Sequence, residues 1–222
     1  MNKRAYFDWN ATAPLREVSK AAMTQAMSNF GNPSSIHTEG RKAKAIIETA
    51  RIQIAEAFGA GNSDIIFTSG ATEAAAIALR TREIECAGVE HPCILSNCVE
   101  NLSTDGNGQI LISKAQCSTV QSANSETGIL QNIPAGVFLS DFVQSFGKIP
   151  SSFDWSDVMS GILSAHKIGG PKGVGALVIR SDIEVYDLLK GGGQEMGRRS
   201  GTEKVIVNAG LGAAAMVGSR GR

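Results

Sequence analysis

The chain has 222 residues, 42% of them hydrophobic, and its 21 Lys and Arg residues balance 21 Asp and Glu residues. That is ample apolar material for a core, and 25 glycines against 6 prolines point to tight turns rather than disorder. Balanced charge without a basic block, or basic residues interleaved with aromatics, argues against nucleic acid and against an anionic membrane as partners.

The start of the chain, Met1 to Asp8, lacks an apolar signal core, and no apolar run reaches membrane-spanning length, so the expected location is cytoplasmic. Cys86, Cys93, Cys98 and Cys117 follow neither a CxxC pair nor a repeated zinc spacing. Cys86, His91, Cys93 and Cys98 lie close enough in sequence for a metal site to be conceivable. Unmatched spacing reads instead as small buried thiols, and no metal is expected.

In chain order, residues 13–30 carry Pro14 near a helix start and an apolar stripe (Val18, Ala21, Ala22, Met23, Ala26, Phe30) at helical spacing. A second helix is expected from about Glu39 to Phe58, with Gly59 suited to end it. Asp64 to Thr68 reads as a buried strand that turns at Ser69-Gly70 into a helical run, Ala71 to Leu79. Strand, small-residue turn and helix leave free backbone N–H groups aimed at an anion, with Ser69 and Thr72 adding hydroxyls; a plain hydroxyl-capped helix reads equally well.

Residues 81–118 are the least regular, with His91 before a helix start at Pro92 and a strong turn at Asp105 to Gly108. Ser118 to Ala123 reads as a weak strand. Val137 to Ser140 reads as another, ending at Asp141, with Gln144 one helical turn later. The apolar run Val158 to Leu163 delivers Ser164-Ala165-His166-Lys167, then a Gly/Pro turn and the β-branched run Ala176 to Ile179. Gly191 to Glu195 and Arg198 to Thr202 form a glycine- and hydroxyl-rich loop suited to an anion. The chain ends on a helix start, Ala209 to Val217, and a Gly/Arg tail. Alternating strands and helices predict an α/β, three-layer sandwich with a mostly parallel sheet.

In such folds ligands sit at the carboxyl edge of the strands, where Asp141, Gln144, Ser164, His166 and Lys167 can converge. A desolvated lysine can act as a nucleophile toward a carbonyl. Pyridoxal 5'-phosphate (PLP) needs an imine-forming lysine, an acid for its pyridine nitrogen and donors for its phosphate, and this set supplies all three.

The segments Phe7-Asp8-Trp9-Asn10-Ala11-Thr12-Ala13-Pro14, Phe30 to His37, Thr68 to Ala74, Glu90-His91-Pro92, Asp141-Phe142-Val143-Gln144, Ser164 to Gly175, and Gly191 to Gln194 with Arg199-Ser200-Gly201-Thr202 resemble, in order, those of cysteine desulfurases. These are PLP-dependent, fold type I enzymes of the class V aminotransferase group that release sulfur from L-cysteine for iron–sulfur cluster assembly. The resemblance implies that Lys167 carries the cofactor, Asp141 pairs with the pyridine nitrogen, Gln144 bonds the ring hydroxyl and His91 stacks on the ring. It also implies that Thr72, Ser164 and His166 hold the phosphate, and that Thr202 reaches the phosphate of a partner subunit in a homodimer; Ser69, read from the turn itself, joins the expected cofactor-binding residues. Asn10, Ala11, Thr12 and Asn32 would lie near the substrate. An iron–sulfur scaffold or other sulfur acceptor would be the partner.

Family members are nearly twice as long. The expected organisation here is an N-terminal arm (1–15), an incomplete PLP-binding large domain (16–210) and a truncated tail (211–222). The C-terminal small domain, with its sulfur-accepting cysteine and an arginine that clamps the substrate carboxylate, is not matched. None of the four cysteines stands in the matching context. Segments are trimmed near 79–89 and 108–120, and a crossover helix before Val137 is gone, so a reduced sheet is expected. Ser125 replaces an asparagine near the ring hydroxyl. Phe142 replaces a small residue beside Asp141, where overpacking would cost about 1–3 kcal/mol.

These departures leave two functional readings: a cysteine desulfurase, or a non-catalytic PLP-binding remnant that partners a full-length enzyme. A nucleotide-binding loop at Gly169 to Gly175 is set aside, because it lacks the Gly-Lys-Ser/Thr ending and leads into a strand.

Overall fold

The computed structural model describes residues 4–220; residues 1–3 of the expected arm and 221–222 of the expected tail lie outside the described residues. Among the described residues there are seven strands: β1 (Ser63–Thr68), β2 (Glu85–Ala87), β3 (Val99–Leu102), β4 (Thr119–Gln121), β5 (Leu139–Asp141), β6 (Ser160–Ser164) and β7 (Gly175–Arg180). The helices are α1 (Glu17–Ala26), α2 (Thr38–Phe58), α3 (Ala71–Leu79), α4 (Pro92–Leu95), α5 (Phe153–Ser156) and α6 (Val205–Arg220).

The central sheet has the order β1-β7-β6-β5-β4. β7 is antiparallel to both β1 and β6, whereas β4, β5 and β6 pair in parallel. Four of its five strands therefore point one way and β7 alone opposes them. The sheet is mixed, parallel in most of its strands. β2 and β3 form a separate parallel pair that meets β4 through a single bridge, Glu85 to Ser118.

Side chains alternate across the sheet as extended backbone requires. Ile65, Phe67, Ala176 and Val178 face α2 and α6, joining Ile47, Ile54, Phe58 and Leu211 in one core. Ile66, Leu139, Ile162, Leu177 and Ile179 face the other way and pack with Ala74, Ile77 and Ala78 of α3 and Ile94 of α4. Helices on both faces make the expected three layers. The stripe of α2, with Ala43, Ile47, Ala50 and Ile54 at most 1% exposed, anchors its side; each buried isoleucine contributes about 1.5–3 kcal/mol. Gly59, at φ +60°, ends α2 as expected.

Several expectations change. The first helix begins at Glu17 rather than near residue 13, because Ala13 N and Arg16 N donate to the carbonyls of His166 and Gly169, both at 2.9 Å. Those bonds tie the N-terminal segment to the loop that carries Lys167. β2 and β3 fall in the stretch read as irregular. Asp141 is the last residue of β5, opposite Gln121 and Ile162, rather than the residue after it. No helix occupies residues 122–138, in keeping with the lost crossover helix, and turns and an isolated bridge between Ala123 and Leu130 carry the chain from β4 to β5. The stretch from 211, expected as a truncated tail, continues α6 through Arg220, with Leu211, Ala214 and Ala215 fully buried. Phe142 does not crowd the acid beside it. It points to the opposite face of the sheet, edge-on to Phe58 at 4.9 Å, into space that Gly161 leaves open. Among the described residues, no helix is long and apolar enough to cross a membrane.

Candidate active site

A cavity of about 480 Å³ opens at the carboxyl edge of the four co-directional strands. Ser69 and Gly70 enter it after β1, Gln121 from the end of β4, Asp141 from the end of β5 and Ser164 from the end of β6. β7 runs the other way and begins there: Gly175 stands opposite both Thr68 and Ser164. A Cβ on Gly175 would sit 2.5 Å from the Leu163 carbonyl oxygen and 2.7 Å from the Gly70 carbonyl carbon. Only glycine lets the 69–72 turn lie this close to the sheet.

Ser164 leads straight into a 3-10 turn, Ala165–Lys167, which swings Lys167 over the strand ends. Lys167 Nζ donates to the Asn10 carbonyl at 2.5 Å. Desolvation holds its ammonium below the ordinary lysine value, against the opposing charges of Asp141, Asp8 and Glu126. His166 Nδ1 lies 3.1 Å from Thr12 Oγ1. Burial, with Lys167, Lys172 and Lys148 nearby, lowers its pKa and favours the neutral ring.

Asp141 is 6% exposed and accepts the Val143 N–H at 2.8 Å. Burial pushes its pKa up, while that hydrogen bond, His91 and Lys167 pull it down. Behind it lies Glu90, 4% exposed, whose Oε1 accepts the Gln121 N–H at 2.7 Å. Desolvation and the Asp141 charge raise Glu90 to about 8, so its carboxyl is largely neutral at pH 7. Among the described residues, buried Glu90 Oε2 and Gln121 Oε1 find no hydrogen-bond partner.

On the opposite wall, Ser69 and Thr72 flank the start of α3, where unpaired N–H groups and the helix dipole favour an anion. Gln144 lines the cavity, donating from Nε2 to the Asn10 carbonyl at 2.8 Å. His91 lines it too, its Nδ1 3.0 Å from Cys93 Sγ. Ser125, where the resemblance expects asparagine, also reaches the cavity and bonds Glu126 at 3.1 Å.

Of the residues singled out in the sequence, Ala11, Thr12, Ser69, Thr72, His91, Asp141, Gln144, Ser164, His166 and Lys167 share this cavity. Asn10 stands beside it, contributing its carbonyl to Lys167 and Gln144. Asn32 and Thr202 do not line it; both are exposed in loops. Sequence reasoning missed Gln121, Cys93, Val143 and Lys172 as lining residues and Glu90 behind them. A buried acid directly before His91 was the one available signal. Among the described residues, no group of three or more His, Cys, Asp or Glu is placed to hold a metal.

The donor set fits PLP: an amine whose pKa burial lowers, a buried carboxyl across the cavity, and a helix start with hydroxyls on the remaining side. Residues 5–220 match the family described as Aminotransferase class-V. A cysteine desulfurase from Trichormus azollae is 38% identical over 245 residues, covering 95% of this chain and 61% of the relative. The cysteine desulfurase IscS of Dictyoglomus turgidum is 36% identical, covering 96% and 64%. The chain therefore spans a little over three fifths of these relatives. Among solved structures, a NifS-like protein from Rickettsia africae superposes with a TM-score of 0.86 at 33% identity, covering 96% of this chain and 68% of the other. SspA, solved in complex with cysteine, does so at 0.83 and 31%, covering 96% and 72%. Cysteine desulfurases of class V depend on PLP, and it is to this cysteine desulfurase-like group of the class-V aminotransferase family that the chain belongs.

Proposed function

We propose that this chain is the cofactor-holding part of a PLP-dependent cysteine desulfurase acting on L-cysteine. The observation that carries the reading is that Lys167, Asp141 and the 69–72 turn converge on one cavity from separate strand ends. When bound, PLP supplies an electron sink for cleavage at the amino acid's carbons. Lys167 provides the attachment amine and then moves protons. With PLP bound, Asp141 would keep a proton on the pyridine nitrogen, His91 would lie against the ring, and Gln144 would serve the ring hydroxyl.

Ser69, Thr72, Ser164 and His166 hold the phosphate with the N-terminus of α3. Asn10, Ala11 and Thr12 border the substrate's entry. Asn32 and Thr202 act from exposed loops, Thr202 on the cofactor phosphate of a second copy in a homodimer. The sulfur leaves to a thiol that the cavity does not supply: Cys93 is its cysteine, and burial, with Asp141 and Glu90 nearby, pushes its thiol up to about 12. An iron–sulfur scaffold or another sulfur-carrying protein is the downstream partner.

The test is to purify the chain with PLP, follow the absorbance of the bound cofactor, reduce with borohydride and locate the label by peptide mass spectrometry. Label on Lys167, with sulfide released from L-cysteine when an external thiol is added, is the expected result. No label on Lys167 would sink the reading. Label without sulfide would favour a PLP-binding protein that does not turn over.

A further inference from the structure

Behind the turn that begins α3 lies an ion pair that the proposed chemistry does not use. Arg199 Nε donates to Glu73 Oε1 at 2.8 Å, and the Ser69 N–H donates to Glu73 Oε2 at 2.5 Å. The two side chains are only 14% and 11% exposed. Glu73 stands in the first turn of α3 and reaches back to the chain entering it, in the manner of a capping box. Burial alone would raise its carboxyl, but the bonds from Arg199 and Ser69 hold it below the ordinary glutamate value. It is therefore an anion, largely buried, at the same helix start that faces the cavity.

That arrangement carries a conflict. A helix N-terminus attracts negative charge, and Glu73 already places one there. A phosphate arriving at Ser69 and Thr72 would meet a like charge in partly desolvated surroundings, where screening is weak. Arg199 comes from a different segment, the 191–202 loop, and its guanidinium also donates to the Ser200 carbonyl at 3.2 Å. Lys204 faces the same pair and donates to the carbonyl of Gly173, on the cavity wall, at 3.1 Å.

We infer that Arg199 is a positioning residue for the anion site: it cancels the charge of Glu73 and fixes the 69–72 turn so that the start of α3 accepts the cofactor phosphate. The inference rests on the PLP reading above. Glu73 then holds the turn in shape through the Ser69 N–H without repelling the ligand.

The experiment compares dissociation constants for PLP and for pyridoxal, which lacks the phosphate, in the unmodified chain and in Arg199→Met, Arg199→Lys, Glu73→Gln and the double variant Glu73→Gln/Arg199→Met. Arg199→Met should lose about tenfold in PLP affinity while pyridoxal affinity stays within about twofold. Arg199→Lys and Glu73→Gln should each keep PLP affinity within about threefold, and the double variant should recover to that same range. If Arg199→Met fails to fold, the double variant and Glu73→Gln still decide the matter, because neither carries the unpaired carboxylate. Equal loss of PLP and pyridoxal, or a double variant as weak for PLP as Arg199→Met, would overturn the inference. An unmodified chain that takes up neither ligand removes the functional reading and this inference with it; one that binds both, with no phosphate-specific effect of Arg199, removes the inference alone.

Discussion

Lys167 donates its ammonium to the main-chain carbonyl of Asn10, so the segment before α1 lies across the amine on which cofactor attachment depends. Attachment needs the neutral amine. Burial lowers the pKa of Lys167 from the ordinary 10.5, and the charges of Asp141, Asp8 and Glu126 work against that. The rate of covalent attachment of PLP should therefore rise with pH with a midpoint below 10.5. Asp141→Asn removes a charge that favours the ammonium and should move the midpoint lower still. Stopped-flow absorbance across pH reads both, and an upward move in Asp141→Asn would contradict the geometry.

Glu90 makes a prediction about stability. Its carboxyl is raised from 4.5 to about 8 in the folded chain, by burial first and the Asp141 charge second. Between those values the folded state keeps a proton that the unfolded chain releases. The stabilisation is thus fully present below about 4.5 and is lost as pH rises through about 8. Asp141, also raised, contributes the same sign; His91 and Lys167 face it from the loop side, and Cys86, Cys93 and Cys98, all raised from 9.0, titrate above this window. Glu90→Gln keeps an acceptor for the Gln121 N–H and should flatten much of the fall between pH 5 and pH 8. Urea unfolding at a series of pH values is the measurement, and an unchanged slope would remove Glu90 as its source.

The four thiols should differ sharply in reactivity. Cys117 is exposed, whereas Cys86 and Cys93 are buried. Burial and neighbouring acids push Cys93 up to about 12, and burial with Cys86 nearby does the same for Cys98. Iodoacetamide at pH 8 should label Cys117 first and leave Cys93 unmodified until the chain unfolds. Early labelling of Cys93 would mean that the cavity thiol is ionised and would make it a candidate sulfur acceptor.

Gly175 tests the wall between the anion turn and the sheet. A methyl group there meets main-chain atoms of Leu163 and Gly70 rather than flexible side-chain ends. Gly175→Ala should lower stability by about 1–3 kcal/mol and weaken PLP retention with it. Gly61→Ala, where nothing lies within 4 Å, is the control that should change little. Equal unfolding midpoints for the two variants would show that the turn moves away freely.

Much of this organisation was legible in the residues. The stripe of α2 and its stop at Gly59, the strand-turn-helix from β1 into α3, and the run from Ser164 through Lys167 all follow local rules of periodicity and turn chemistry. β2 and β3 were not legible, since both are short and carry charged or polar residues (Glu85; Glu100 and Asn101) where a strand signal needs an apolar run. The face taken by Phe142 was misjudged for a different reason. Adjacency to Asp141 in sequence means opposite sides in an extended strand, and the strand had first to be extended through Asp141 for that to hold.

By itself the sequence determined which residues can carry the chemistry, because a lysine, an aspartate and a hydroxyl-lined helix start are properties of residue type and short-range order. Only the tertiary structure decided which of them share a cavity. That depends on the direction of whole strands: β1, β4, β5 and β6 end together, and β7 starts beside them. The same folding leaves Asn32 and Thr202 outside. It also buries Glu90 behind Asp141 and brings Arg199 onto Glu73. Long-range contacts of this kind set the charge of the site, and residue order alone does not express them.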